Sequence, residues 1–403
     1  MVKKSLIWFY RFALTAIWLV LIFMSVTIIG LRYFVLPEIS KYQPKITQAI
    51  SNTLGQRVTI GSIEANWQGL NPHIRLNDVD IYDKENRVAL SLHKVDSAIS
   101  WLSIPFFEPR LASLTIHQPE LSIRREEDGT IYVAGISMSG PTQAAFPNWL
   151  LRQSEISVLD AEINWNDAMR KAPEIRLSQL NLKIENPAWD AIRGHHRFAL
   201  KAKPSAVSQQ VVDIRGKIFG RDVSQWREWH GTLFADIQQA QLAEIKQWID
   251  LPVDLQSGFG DTRLWVDFDH AAIDRISSDL DVQQLSTTLR FQEQVSTFNH
   301  IAGHITWEQK KDGQLLEASN IKLTTPDDLD MKKGYFFLRE KQQANQTRYE
   351  AKVNLDELQL ETVHKLLPYL PLSSELSEKI KQFQPVGKLS NLSLSWQSIG
   401  DQL

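Results

Sequence analysis

The residues best suited to chemistry are two histidines, His300 and His304, which are spaced H-x-x-x-H. A zinc-protease motif of this spacing needs a glutamate directly after the first histidine, and here that position is Ile301. The segment is also predicted to be a strand, where positions four apart lie about 13 Å from each other. The adjacent pair His195 and His196 would point to opposite faces of a strand. We therefore predict no metal site.

Other catalytic motifs begin in this chain but are not completed. Gly258 and Gly260 start a dinucleotide fingerprint, but Arg263 occupies the position of the third glycine. The segment Gly135–Ser139 lacks the closing glycine of a nucleophile elbow, and the aspartates in residues 78–83 lack the glycine and glutamate of a calcium loop. The chain has no cysteine, which excludes thiolate nucleophiles and disulfides. We predict no catalytic residue, no cofactor and no enzyme activity.

The charge balance argues against a nucleic-acid partner. The 403 residues carry a formal net charge of -3, whereas nucleic-acid-binding domains normally show a basic stripe. The chain is long enough to bury a sizeable core.

A long uncharged run near the N-terminus predicts a membrane anchor. It extends from Phe12 to Leu31 between Arg11 and Arg32, and about 20 helical residues span the roughly 30 Å of a bilayer core. The alternatives are a buried core helix and a cleaved signal peptide, but no A-x-A-like cleavage site follows the run. The cationic N-terminal tail favours a cytoplasmic N-terminus, although Arg32 and two lysines follow the run.

The rest of the chain is dominated by residues that alternate between apolar and polar. A short amphipathic helix is predicted to end at Gly55, and period-two runs follow it to Trp396. The alternation is typical of antiparallel sheet, because parallel strands are usually apolar on both faces. Helical periodicity is confined to residues 240–249, 357–367 and 375–383.

So few helices cannot cover the apolar face of so many strands. A sandwich, a closed barrel or a long curved sheet with an apolar concave face would each solve this problem. We favour the curved sheet, in which apolar side chains line a continuous trough for an apolar ligand. The candidate lining residues are Ile60, Leu76, Leu90, Leu92, Ile116, Leu182 and Phe268.

Two segments carry a resemblance to a known family. Residues 36–83 resemble the N-terminus of the YhdP type of AsmA-like proteins. In this segment the Leu-Gly of Leu54 and Gly55 is followed by the pattern V-x-I-G-x-I-x-x-x-W-x-G-L-x-P-x-I-x-L. Residues 366–396 are similar to a later segment of that family.

This resemblance implies a mainly β protein with an elongated, curved antiparallel β-sheet groove and a few short helices. Residues 1–35 would form the cytoplasmic tail and transmembrane anchor, residues 36–56 a short amphipathic helix, and residues 57–403 a periplasmic AsmA-like β-groove domain. It also implies the inner membrane of a Gram-negative bacterium. We expect the chain to be the first part of a longer protein.

The resemblance further implies that phospholipid, or another acyl lipid, is moved toward the outer membrane. The alternatives are an anchored scaffold that assists outer-membrane protein assembly with envelope protein partners, and a membrane-tethered enzyme. The family brings no catalytic, cofactor or metal-binding residues.

Overall fold

The fold is that of a computed structural model. It describes residues 2–83, 86–106, 108–133, 136–137, 145–187, 193–248, 254–270, 272–288, 295–327, 329–343, 346–362, 378–379, 382 and 386–399.

The chain begins with a long apolar helix, α1, at Val2–Gly30. It continues through a π-helical turn, Leu31–Val35, and a 3-10 segment, Leu36–Tyr42, into the helix α2 at Gln43–Leu54. The N-terminal helix is long and apolar enough to cross a membrane, and none of its apolar stretch is buried against the described chain. Gly55 ends α2 in the left-handed conformation, with φ of 67°, which glycine adopts without steric cost.

In the part of the chain that the structure describes, nineteen strands form one sheet. Their bounds are β1 Val58–Gln68, β2 Asn71–Tyr82, β3 Val88–Ile99, β4 Leu111–His117, β5 Glu120–Arg125, β6 Ile131–Val133, β7 Ile136–Ser137, β8 Glu155–Asp167, β9 Ile175–Glu185, β10 His195–Pro204, β11 Val212–Phe219, β12 His230–Gln241, β13 Asp254–Asp269, β14 Ala272–Thr288, β15 Val295–Lys310, β16 Gly313–Thr324, β17 Asp330–Gln343, β18 Gln346–Gln359 and β19 Lys388–Ile399.

From β8 to β19 each strand pairs with the next in antiparallel fashion, and β1 to β4 do the same. The two groups join where β8 lies parallel to β4 and then to β5. The terminal strands β1 and β19 do not pair with each other, so the sheet is open. The prediction of a mainly β, open sheet is confirmed, and the antiparallel pattern has this one parallel exception. A long excursion between β5 and β8 brings the chain back in the same direction, which parallel pairing requires.

Short helices lie at the strand ends: α3 at Ser103–Phe106, α4 at Ala145–Leu151 and α5 at Leu242–Ile245. We call the strand ends near α3 and α4 the α4 side of the sheet, and the opposite ends, where β1 begins, the α5 side. The helix predicted over 240–249 is thus reduced to α5 in the described residues, because β12 extends to Gln241. The helix predicted over 357–367 is wrong at its start, because β18 extends to Gln359. Most of the 375–383 segment lies outside the described residues.

Seven non-glycine residues inside strands have a left-handed backbone, with φ between 51° and 56°: Asp78, Asp160, Gln179, Gln239, Gln284, Asn320 and Asn391. Five of them, from Asp160 to Asn320, coincide with a one-residue shift in register to a neighbouring strand, which identifies β-bulges. All seven lie in the half of the sheet toward the α5 side. We call these seven residues the left-handed row. Bulges bend a strand and increase its twist, so the left-handed row favours curvature of the whole sheet.

Candidate functional site: an apolar groove

One face of the sheet is mainly apolar from β1 to β19. The register places residues directly opposite each other in a row that crosses sixteen strands. At about 4.8 Å between neighbouring strands, this central row is about 70 Å long. Its members are Ile63, Leu76, Val95, Ile116, Val158, Leu182, Leu200, Ile214, Ala235, Leu264, Ser278, Ile305, Ala318, Phe336, Val353 and Leu394.

The single polar member of the central row is satisfied by a neighbour on the same face. The hydroxyl of Ser278 is 2.9 Å from that of Thr262, so the two groups form a hydrogen bond with each other. A polar pair of this kind lowers the cost of placing hydroxyls on an apolar surface.

The opposite face is polar along β1 to β4, β8 and β9, whereas Phe234 and Trp265 lie on it farther along. One position away from the central row, Glu64, Arg75, Asp96, Thr115, Ser157 and Lys183 are directly opposite one another. Arg75 donates to Asp96 across the strands at 2.7 Å. The faces therefore differ as the alternation predicts, with one apolar and one solvated.

A helix covers the first part of the apolar face. Ile46, Ile50 and Leu54 of α2 pack on a buried cluster formed by β1, β2 and β3. Among the candidate lining residues, Ile60 and Leu92 are buried in this cluster, and Leu76, Leu90 and Ile116 are partly buried against it. These five therefore lie on the apolar face but beneath or beside α2, which also contacts α4.

Farther along the sheet the apolar face is covered unevenly: Ala161, Leu180 and Ala202 are buried beside the central row, but several residues of the row itself stay partly open. Leu182, Leu200, Ile214, Leu264 and Phe268 are only partly buried, and no described helix or second sheet packs over them. Strands that are distant in the sheet make no extensive contact with each other in the described part of the chain, so the sheet does not fold into a sandwich. Partial burial without a cover is what a curved sheet produces on its concave face. The result is an open apolar groove.

A second, larger apolar cluster lies at the α5 side of β14 to β18. It contains Val282, Leu285, Phe298, Leu323, Met331 and Leu355, among others, and Leu242 of α5 packs against it. This cluster continues the apolar face toward β19.

A hydrogen-bonded array on the polar face has the residue types of a hydrolase triad. Asp279 lies 2.7 Å from Nδ1 of His304, and Nε2 of His304 lies 3.0 Å from the hydroxyl of Ser277. That hydroxyl also contacts Thr306, and Ser277 is 9% exposed. A nucleophilic serine needs backbone or side-chain donors for an oxyanion, but the N–H groups around Ser277 pair with β13 and β15. The array therefore links neighbouring strands. His300 is likewise hydrogen-bonded, to Asp281.

The seven candidate lining residues predicted from the sequence do not include every residue of the apolar face. Leu200, Ile214 and Leu264 lie on the central row and in its uncovered part, but they were not among the seven candidates. Their alternating pattern was visible in the sequence. Which residues of the apolar face line the uncovered groove, however, depends on the strand register and on the position of α2. Neither can be read from the sequence of a single strand.

Comparison with known proteins identifies one family. The family model described as YhdP protein matches residues 1–402. No curated protein and no solved structure matches the chain.

Proposed function

The chain belongs to the YhdP family, and from this premise we propose that it is an inner-membrane-anchored protein whose apolar groove carries phospholipid toward the outer membrane. In this proposal α1 crosses the inner membrane and the sheet projects into the periplasm. The protein acts by binding and transfer, not by catalysis.

The central row is the observation that supports lipid transfer most strongly. Exposing an acyl chain to water costs about 0.8 kcal/mol for each CH₂ group, so a lipid outside a bilayer needs an apolar surface along its whole path. The row offers such a surface across sixteen strands, and its one hydroxyl is paired with Thr262.

The open side of the groove explains how one surface can carry many lipids. An acyl chain can lie against half-buried residues such as Leu200 and Leu264 while its headgroup stays in water. No deep pocket has to fit the headgroup. Neighbouring sites along the row are chemically alike, so a lipid moves between them without a large change in free energy.

Site-specific photo-crosslinking in living cells tests this proposal. A photoreactive amino acid placed at Leu182 or Phe268, on the uncovered apolar face, should capture phospholipid. Each position has a matched control one residue away on the polar face, at Lys183 and Asp267. Extraction and mass spectrometry of the crosslinked species identify the lipid.

The controls decide between lipid carriage and a scaffold. Capture at Leu182 and Phe268 but not at the paired controls supports transfer. Equal capture on both faces, or no capture at any position, would contradict it, and the anchored scaffold for outer-membrane protein assembly would then be favoured.

A further inference from the structure

A second concave surface lies on the polar face, where β17, β18 and β19 meet. It has a volume of about 480 Å³, and we call it the polar-face pocket. Six of the residues that line it are Tyr335, Phe337, Glu350, Lys352, Ser395 and Gln397. These six lie on the face opposite to the central row, because they alternate along their strands with residues of the apolar face.

Two aromatic rings form the apolar part of the polar-face pocket. Tyr335 and Phe337 are two positions apart on β17, so their side chains are neighbours on one face, and both are partly buried. Burial, together with the Glu317 carboxylate beside its hydroxyl, raises the pKa of Tyr335. The Tyr335 hydroxyl therefore remains a hydrogen-bond donor at neutral pH.

Polar groups surround the two rings. Glu350 and Lys352 on β18 and Ser395 on β19 are exposed. None of these three side chains makes a hydrogen bond or an ion pair within the part of the chain that the structure describes. The Gln397 amide oxygen accepts a hydrogen bond from Arg348 at 2.6 Å, which orients the amide. The polar-face pocket thus offers free donors and acceptors beside an apolar surface.

The charges and the size of the polar-face pocket argue against several classes of ligand. Its lining carries one carboxylate, Glu350, and one ammonium, Lys352, so it selects neither an anion such as phosphate nor a cation. An acyl chain would desolvate both charged groups without giving them partners. A stable protein partner normally buries at least about 1,000 Å² around an apolar centre. Here the apolar part consists of two rings.

A carbohydrate has the matching chemistry. A pyranose ring presents C–H groups on its flat faces, and these are attracted by the negative face of an aromatic ring. Its hydroxyl groups both donate and accept hydrogen bonds, so they suit a carboxylate, an ammonium and an amide equally. We propose that the polar-face pocket binds a sugar unit of a glycan against Tyr335 and Phe337, with hydrogen bonds from its hydroxyl groups to Glu350 and Lys352. This inference does not depend on lipid transfer along the groove.

A second pair of aromatic residues on the same face indicates a glycan chain rather than a single sugar. Trp265 is 38% exposed, and its ring lies 5.4 Å from that of Phe234. Four strand spacings, or about 19 Å, separate Trp265 from Phe337. The residues in register between them are Ser277, Thr306 and Glu317. All three carry polar groups, so a longer glycan could continue from the pocket across these strands to Trp265.

Isothermal titration calorimetry of the full chain tests this proposal. The probes are chitobiose and chitohexaose, with maltohexaose as a glycan that lacks N-acetyl groups. An amine-oxide detergent keeps the chain in solution, because a maltoside detergent would itself present a sugar. Phe337→Leu retains an apolar side chain without an aromatic face, and Glu350→Ala removes an exposed acceptor. Lys217→Ala, exposed on the polar face of β11, is the matched control.

We expect Phe337→Leu and Glu350→Ala each to weaken binding of the glycans about tenfold, the loss of one aromatic or one charge-assisted contact. Lys217→Ala should leave binding unchanged. Trp265→Leu should weaken binding of chitohexaose but not of chitobiose. The stronger of the two hexasaccharides shows whether the glycan carries N-acetyl groups.

Three outcomes would overturn the proposal. They are no binding of any probe, binding that Phe337→Leu and Glu350→Ala leave unchanged, and an equal loss for chitobiose and chitohexaose in Trp265→Leu, which would place the sugar at Trp265. Far-ultraviolet circular dichroism shows that each variant is folded. Because Glu350 is exposed, its variant keeps the test decisive even if Phe337→Leu unfolds the last strands.

Discussion

At the scale of single residues, the polar face is held by charged groups that meet across strands. Asp96 accepts hydrogen bonds from Arg75 at 2.7 Å and lies 2.9 Å from Nε2 of His117, with the Lys94 ammonium 3.3 Å away. Burial opposes ionisation of the Asp96 carboxyl, but the hydrogen bonds from Arg75, Lys94 and His117 outweigh it and lower its pKa.

This network predicts how acid affects the first strands. A carboxyl whose pKa is lower in the folded than in the unfolded chain stabilises the fold above its ordinary pKa of 3.8, and the stabilisation is lost as the pH falls through the folded value. We expect Asp96→Asn to lower the free energy of unfolding at pH 7 by about 1–2 kcal/mol. Urea unfolding at pH 7 and at a pH well below 3.8 measures this, and an equal loss at both values would contradict it.

The left-handed row gives a second prediction for single residues. Asn320 has φ of 54°, a conformation that asparagine tolerates and β-branched residues resist. We expect Asn320→Val to destabilise the fold by about 1–2 kcal/mol, while Asn320→Gly is close to neutral. Thermal unfolding of both variants is the measurement. If glycine destabilised as much as valine, the asparagine side chain would matter more than its backbone conformation.

At the scale of elements, α2 covers the apolar face that would otherwise begin at β1. Ile50 packs on the cluster beneath it, whereas Asn52 on the same helix is exposed. We expect Ile50→Asp to detach α2 and to cost about 1–3 kcal/mol, because a carboxylate would face an apolar surface. Hydrogen exchange of the α2 amides should rise in this variant and stay unchanged in Asn52→Asp. Unchanged protection in Ile50→Asp would show that other contacts hold α2.

Element types could be predicted from the sequence, but their arrangement could not. Apolar residues at every second position, such as Leu264, Val266 and Phe268, indicate a strand with one apolar face. The left-handed row could not be predicted from the sequence, because aspartate, glutamine and asparagine are also common on the solvent-exposed face of regular strands. The parallel contact between β4 and β8 was also missed, since alternation says nothing about which strands become neighbours.

For the candidate groove, too, the sequence predicts which face a residue lies on but not whether another element covers it. Leu182 and Phe268 lie on the apolar face, and that placement needs only the neighbouring residues in the sequence. Whether Ile60 is covered depends on α2, a separate element whose position follows from packing.

At the scale of the whole molecule, the groove behaves as one path only if its apolar surface is continuous. A carboxylate in the open part reaches water at the rim, so Ile214→Asp should leave the protein folded while interrupting the central row. If lipid moves from α1 toward β19, photo-capture at Leu182 should persist and capture at Phe268 should fall. Lys217→Asp, exposed on the polar face of the same strand, is the control. Unchanged capture at Phe268 would show that lipid reaches the distal strands by another route.

The simple antiparallel order from β8 to β19 makes the distance spanned by the sheet adjustable in fixed increments. Each hairpin adds two strands, or about 10 Å, and leaves the direction of the chain unchanged. Excision of β14 and β15 would therefore bring β13 beside β16 in the antiparallel orientation that both already use. The number of hairpins thus determines the length of the sheet. Evolution or design can change the distance that such a protein spans by adding or removing hairpins, without altering the chemistry of its apolar face.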